Sequence, residues 1–466
     1  MKPVLLCAFT LAILTLLSRP ALAADAAPTQ ASPQDLAKVV AELQKRVGEL
    51  ESTSKADKAR IAQLEGATDE KKLAAQRRND ILEVLKEMNL DAKQRELKGK
   101  PVWSNLDVQL YGYIKADASY DTAAISNGNY ARWVLPQNVN KNDSQFSMTA
   151  RETRLGMKIT GPSDNDIKTS GVVEIDFYGD GTENTPEPRM RHAYMVIDWP
   201  KQDFSLLAGQ TWDVISPLNA PTLDYTVLWW AGNIGYRRPQ IRATKVVHVT
   251  KDTSVKFEGA VARNIGHANA FAPLGDSGSD SGTPVVEGRT SVSFPSLAAG
   301  RQATVGVSGH YGSEQWDLNA RGNHTDVSTW SANLDAEVPL CDWVSIKGEA
   351  FTGRNLDSFL GGIGQGIDIA GPRANGISDS GGWMALSLNP WKKWQFNFGA
   401  GVDSANNSDL NLASERTLNR VIFGNVIYAI NSATSVGFEI SDWVTDYRNQ
   451  GNADALRFQT SFIYRF

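Results

Sequence analysis

Residues 108–120 read VQLYGYIKADASY, and their alternation decides the fold. Val108, Leu110, Gly112, Ile114, Ala116 and Ala118 take one face, while Gln109, Tyr111, Tyr113, Lys115, Asp117 and Ser119 take the other. A side-chain period of two is a β-strand with one apolar and one polar face. Similar stretches follow to the last residue: SGVVEIDFYG (170–179), VKFEGAVARN (255–264), WVSIKGEAFTG (343–353), WQFNFGAGVD (394–403) and TSVGFEISDW (434–443). One face carries Val173, Ile175, Val255, Phe257, Val344, Ile346, Phe396, Phe398, Val436, Phe438 and Ile440. The other carries Glu174, Asp176, Lys256, Glu258, Lys347, Glu349, Gln395, Asn397 and Glu439. Each stretch is near the ~9–11 residues that a tilted strand needs to cross a bilayer.

The connections alternate between tight and long. Tight joins are GPSDND (161–166), PKQ (200–202), TKDT (250–253), PLCD (339–342), PWKK (390–393) and NSA (431–433), with PSLAAG (295–300) slightly longer. Long ones fall near 122–144, 213–239, 264–284, 312–327, 354–380 and 404–417. A membrane barrel with its N-terminus in the periplasm produces this alternation, because its periplasmic turns are tight and its outer loops long. A soluble sandwich has no reason to gather its long loops at one end. Trp199, Trp343, Trp391 and Trp394 sit beside the tight turns, where a lipid–water interface would lie. Phe462, Tyr464 and Phe466 alternate with Ser461, Ile463 and Arg465, which predicts a lipid-facing closing strand paired with the first one.

The other end of the chain is of a different kind. Lys2, an apolar run from Val4 to Leu17, and Ala21-Leu22-Ala23 read as a secretory signal peptide over 1–23. Residues 24–33 read as a linker. From 34 to 100 the chain is rich in Lys, Glu, Gln, Ala and Leu. Leu36, Leu43, Leu50 and Leu64 fall on seven-residue steps broken by Asp57, with Val40, Val47 and Ile61 on the complementary steps broken by Ser54. That is a coiled-coil seam, whose residue choice leans towards two strands. The fold class expected is thus an all-β transmembrane barrel of about sixteen antiparallel strands over 101–466, preceded by an α-helical coiled-coil segment.

Composition excludes several functions. Removing Lys2 and Arg19 from the 47 basic residues leaves 45 against 52 acidic, a charge of −7 that argues against a nucleic-acid partner. Cys341 is then the one remaining cysteine, so neither disulfides nor a cysteine metal site is expected. His192, His248, His267, His310 and His324 are scattered, with no HExxH spacing and no local sign of a triad. No cofactor, metal or catalytic residue is expected. GGIGQGIDIAGPRANG (361–376) lacks the GK[ST] ending of a phosphate loop and reads as a flexible outer loop. NHT (323–325) is placed in an outer loop too.

The signal peptide, coiled coil and barrel together resemble the DcaP-like trimeric porins. ARETRLGMKI (150–159), RMRHAYMVIDW (189–199), LLAGQTWD (206–213) and GRNLDSFLGGIGQGI (353–367) add to that resemblance. The terminal aromatic Phe466 resembles the signal read by the outer-membrane barrel assembly machinery. The resemblance implies a homotrimer in the bacterial outer membrane, with its coiled coil in the periplasm, through which small organic anions such as carboxylates diffuse passively. Outer-membrane lipid and the assembly machinery are then partners, with peptidoglycan a further contact of the coil. Two alternatives are a barrel that serves mainly as a tether to the cell wall and, less favoured, a barrel hydrolase.

In sixteen-stranded porins the third outer loop folds inward and narrows the lumen; here it is 213–239. Arg237 and Arg238 close it, and Arg242 follows on the inward parity of the next strand. Arg151, Arg154, Arg189 and Arg191 come from the second and fourth strands. Arginine keeps its charge at any working pH and holds carboxylates with a two-pronged fork. Convergent on the lumen, these side chains form an anion-attracting band. Scattered, they are ordinary ion pairs with Glu152, Glu174 and Asp176.

Overall fold

The structure, a computed structural model, describes residues 41–42, 44–56, 106–140, 143–163, 166–266, 276–317, 323–370, 373–412 and 414–466. Two units are described separately, Met1–Gly99 and Lys100–Phe466. In the first, 41–42 and 44–56 are helical, and the seam residues Val47 and Leu50 are exposed. The signal peptide, the linker and the rest of the expected coil lie outside the described residues.

The second unit is a barrel. Its chain runs through β1 (Asp107–Asp121), β2 (Gln145–Thr149), β3 (Arg154–Ser163), β4 (Lys168–Asp176), β5 (Arg189–Trp199), β6 (Phe204–Trp212) and β7 (Arg237–His248). It continues through β8 (Ser254–Ala262), β9 (Val285–Pro295), β10 (Gln302–Asp317), β11 (His324–Cys341) and β12 (Val344–Arg354). A small hairpin, β13 (Ile367–Ala370) and β14 (Arg373–Gly376), stands apart from the wall. β15 (Ser378–Trp391), β16 (Trp394–Ala405), β17 (Arg416–Ala429), β18 (Thr434–Tyr447) and β19 (Gly451–Arg465) complete it.

Seventeen of these strands form one antiparallel sheet, and β2 and β3 share one position in it. β1 pairs with β3 from Asp107 to Tyr113 and with β2 from Asp117 to Asp121. The wall therefore has sixteen positions. It closes where β1 meets β19, from Tyr113↔Arg465 to Asp121↔Arg457. Beyond that register Gly112 and Phe466 exchange backbone hydrogen bonds, each at 3.2 Å. Closure leaves no edge on which another strand could add.

Alternation sorts the two faces as the sequence predicts. Leu110, Ile114, Phe257, Leu334, Phe398, Ile422, Phe438 and Phe462 are exposed on the outside. Lys115, Asp117, Glu174, Asp176, Asp335, Glu349, Asn397 and Glu439 are buried on the inside. Trp343, Trp391 and Trp394 are exposed near the tight turns, with Trp394 against Tyr428 at 4.7 Å between ring centroids.

Two expectations are corrected. The outer stretch 312–327 is largely strand, because β10 runs to Asp317 and β11 begins at His324, so His324 and Thr325 lie in β11 rather than in a loop. Above the bilayer a strand's outer face meets water and needs no apolar residues, so the alternation that reveals a strand fades there. The glycine-rich stretch from 361 is not a flexible outer loop either. Gly361, Gly362 and Ile363 are buried; the Gly362 amide donates to Asp379 at 2.7 Å, and the Ile363 carbonyl accepts from Arg416 Nε at 2.9 Å. The sequence signals permissive backbone there, and the backbone uses it to pack closely rather than to move.

Candidate functional site

The segment 213–236, between β6 and β7, lies inside the barrel. Val214, Ile215, Leu223, Leu228, Trp229 and Ile234 are all buried. Its ends are tied together: the Asp213 amide donates to the Tyr236 carbonyl at 2.8 Å, and the Tyr236 amide donates to Asp213 Oδ2 at 2.8 Å. Its middle is held from the far wall. The Leu218 amide donates to Glu349 on β12 at 2.7 Å, and the Leu223 amide to Glu439 on β18 at 2.7 Å. Asn425 on β17 donates to the Pro221 carbonyl at 2.7 Å, and Lys115 on β1 to the Leu223 carbonyl at 2.7 Å. An inward carboxylate is a natural acceptor for the amides of such a segment, because each buried N–H needs a partner.

The segment lies flush on the wall where the wall has no side chains. A Cβ on Gly401 would meet the Ala231 carbonyl oxygen at 2.1 Å, and one on Gly232 the Gly382 carbonyl oxygen at 2.2 Å. Gly232 also takes φ +115°, a conformation that favours glycine. A second segment, 355–365, clasps the first. The Gly235 amide donates to the Phe359 carbonyl at 2.7 Å and the Trp230 amide to the Leu360 carbonyl at 2.9 Å. Nothing in the spacing of 355–365 announced this. The one available signal is its apolar content, Leu356, Phe359, Leu360 and Ile363, which is unusual for a loop in water.

The arginines fall into three groups. Arg189 grips Asp176 with Nε at 3.0 Å and Nη2 at 2.7 Å, and Arg191 joins Glu174 at 2.6 Å to Asp176 at 3.0 Å. The Arg191 guanidinium lies 5.6 Å from the Trp212 ring centroid, and Arg237 lies 4.7 Å from both Trp212 and Tyr236. Arg237 is 2% exposed, yet its Nη1 and Nη2 have no hydrogen-bond partner, and it joins no ion pair among the described residues. Arg154 lies over the Tyr113 ring at 5.2 Å, also without an ion pair among the described residues. Burial alone would raise the Tyr236 phenol, but Arg237 and Arg189 beside it hold it below its usual value.

Arg151 and Arg238 do not join them. Arg151 holds the 177–188 loop through the carbonyls of Phe177 at 2.9 Å and Asp180 at 2.6 Å, and lies 3.6 Å from Glu183. Arg238 is sealed against Asp213, with Glu287 at 3.7 Å, and packs over the Phe359 ring at 3.8 Å. Glu152 pairs with Lys115 rather than with an arginine. Arg242 lies on the open side of Trp212, donating to its carbonyl and to Gln240 at 3.0 Å, with Glu258 at 3.9 Å.

Open space runs along the β7–β11 side. A cavity of about 260 Å³ is lined by Trp212, Asp213, Tyr236, Arg242, Lys256 and Glu258 among others. A second, of about 370 Å³, is lined by Lys256, Arg289, Asp335 and Glu337 among others. Pro217 and Lys256 line both, so the two adjoin. Of the predicted arginines, Arg242 lines the first cavity, Arg189, Arg191 and Arg237 lie against its Trp212 and Tyr236, and Arg151 and Arg238 are held elsewhere.

The histidines form no triad among the described residues. His310 reaches Ser331 at 2.7 Å, but its other nitrogen meets Thr329 at 2.9 Å, and its face is covered by Phe359 at 3.8 Å. His192 meets Thr211 at 3.1 Å and lies 3.9 Å from Glu174. A nucleophilic serine paired to histidine and carboxylate together is what a hydrolase would require.

No curated protein sequence matches the chain. Among solved structures it is similar to the outer membrane channel DcaP of Acinetobacter baumannii, at 17% identity over 79% of this chain and 99% of that one, with a TM-score of 0.64. It is also similar in fold to OmpF of Salmonella typhi in complex with daunomycin (11% identity, 78% and 98% covered, TM-score 0.52). The anion-selective porin of Comamonas acidovorans shares the fold as well (13% identity, 78% and 100% covered, TM-score 0.50). The family model for the DcaP outer membrane protein matches residues 41–274, half of the chain, and the chain belongs to that family.

Proposed function

We propose that this outer-membrane porin passes small organic anions, carboxylates among them, through the passage beside segment 213–236. The observation that carries the reading is Arg237, a buried cation with no acidic partner among the described residues, pressed against the two rings that line the passage. Arg189, Arg191 and Arg237 set three positive charges against the two of Glu174 and Asp176. At a narrow point in a low-dielectric wall, an uncompensated charge decides selectivity more than the net charge of the chain does. On the passage itself Arg242, Lys256 and Arg289 are matched by Asp213, Glu258, Asp335 and Glu337, so the uncompensated charge is the one behind Trp212 and Tyr236.

A trimer is part of the proposal. The exposed seam residues Val47 and Leu50 support self-association of the helix, since an apolar stripe needs a partner face. Recordings in a planar bilayer test the reading. The expected result is openings in groups of three, with current carried mainly by anions under a salt gradient. A folded barrel that conducts cations better would refute the anion preference, and one that does not conduct would refute the pore.

A further inference from the structure

A second group of arginines lies away from the passage, among the long loops. Arg132 and Trp133 belong to the 122–144 loop, and Arg416 opens β17. Both guanidinium groups lie over the Trp133 indole, Arg132 at 4.5 Å and Arg416 at 4.0 Å from its centroid. Arg132 is also 5.5 Å from the Trp230 ring, which meets Trp133 edge-on at 6.4 Å. Three in-folded segments build this spot, because Gly364 of 355–365 leaves room for Trp133: a Cβ there would stand 3.2 Å from it.

Neither arginine has an ion pair among the described residues. Arg132 donates only to Ser126, from Nε to Oγ at 3.3 Å and from Nη2 to the carbonyl at 3.4 Å. Arg416 donates from Nε to the Ile363 carbonyl at 2.9 Å, which leaves its two terminal nitrogens without an acceptor among the described residues. Glu415 and Asp403 act on Arg416 through space but form no ion pair with it among the described residues. Glu415 takes the amides of Asn411 at 2.7 Å and Leu412 at 2.5 Å, and Asp403 takes that of Ile363 at 3.4 Å. Both arginines are half-buried, so their remaining N–H groups stay within reach of a solute.

Two like charges around one indole are tolerated because the ring face attracts cations, but the arrangement still lacks an anion. We infer that Arg132 and Arg416 dock a single oxyanionic group, a carboxylate or a phosphate, at the long-loop mouth before it enters the passage. Trp133 holds the two guanidinium groups beside one ring, and a planar fork of this kind binds carboxylate or phosphate oxygens well. The inference rests on the reading that anions enter this barrel, but it concerns a separate site.

The test uses the full-length protein in a planar bilayer, with benzoate as the probe and neutral benzamide as the control. In the wild type, benzoate added on the long-loop side should interrupt the current and benzamide should not. In Arg132→Gln/Arg416→Gln the benzoate association rate from that side should fall roughly tenfold, the scale of electrostatic steering at a charged mouth. The rate from the other side and the reversal potential in potassium chloride should not change, because Arg237 is untouched. Arg132→Gln alone, which gives up two hydrogen bonds to Ser126 and the ring contacts with Trp133 and Trp230, should give a smaller fall and covers the case in which the double variant fails to fold. Competition by inorganic phosphate would mark a general oxyanion site, and its absence a carboxylate site. Equal benzoate rates for wild type and variants on the long-loop side would overturn the inference. A cation-selective wild type would instead sink the anion reading, and the two failures are therefore distinct.

Discussion

Asp213 and Arg238 form a buried fork-to-fork pair, Nε to Oδ1 at 2.6 Å and Nη2 to Oδ2 at 3.1 Å, across the two ends of the inward segment. Both side chains are inaccessible to water. Removing one partner of such a pair strands the other, at a cost of about 3–5 kcal/mol. Arg238→Gln should therefore loosen the base of the segment. Single-channel records should show larger, noisier openings than the wild type; quiet currents of unchanged size would argue that the pair does not hold the loop.

Glu439 holds the middle of the segment, taking the amides of Leu223 at 2.7 Å and Asp224 at 3.3 Å. Glu439→Ala leaves both without an acceptor, at about 1–3 kcal/mol each. In a Cys341→Ala background, a thiol placed by Thr222→Cys should then react with a soluble maleimide at least tenfold faster, since about 1.4 kcal/mol is a factor of ten. Equal labelling with and without Glu439 would place the anchor elsewhere.

Gly401 lets the segment touch the wall, with the Ala231 carbonyl oxygen 2.1 Å from where a Cβ would be. Gly401→Val must push residues 228–232 back into the lumen, and overpacking of this kind costs about 1–3 kcal/mol. The barrel should still fold, with an altered conductance. Wild-type conductance in a well-folded variant would contradict the contact.

Phe466 is half-exposed, and its backbone already pairs with Gly112. Phe466→Ala should therefore change the stability of the purified barrel little. If the terminal aromatic is read during assembly, the amount reaching the outer membrane should drop several-fold while thermal unfolding stays the same. Unchanged amounts would remove Phe466 from that role.

The wall was legible because alternation is local. Lys115 faces in and Ile114 faces out for the same reason in any sixteen-stranded barrel. The inward segment was legible only in part, since its length marked a loop but not its contacts. Its anchors, Glu349 and Glu439, read as ordinary lumen charges, because an acceptor and the amide it serves are more than a hundred residues apart. The arginines divided for a similar reason. Arg237 and Arg238 are adjacent in sequence, yet among the described residues one has no acidic partner and the other is locked to Asp213. The clasp by 355–365 left only its apolar residues as a signal, because glycine records freedom of backbone and not the use made of it.

The central claim is that uncompensated positive charge at Arg237 sets the selectivity of the passage. Its most direct test is the reversal potential under a potassium chloride gradient, for the wild type and Arg237→Gln. The account predicts anion preference in the wild type and a clear shift towards cations in the variant, with the conductance still that of a folded pore. A variant as anion-selective as the wild type would contradict it.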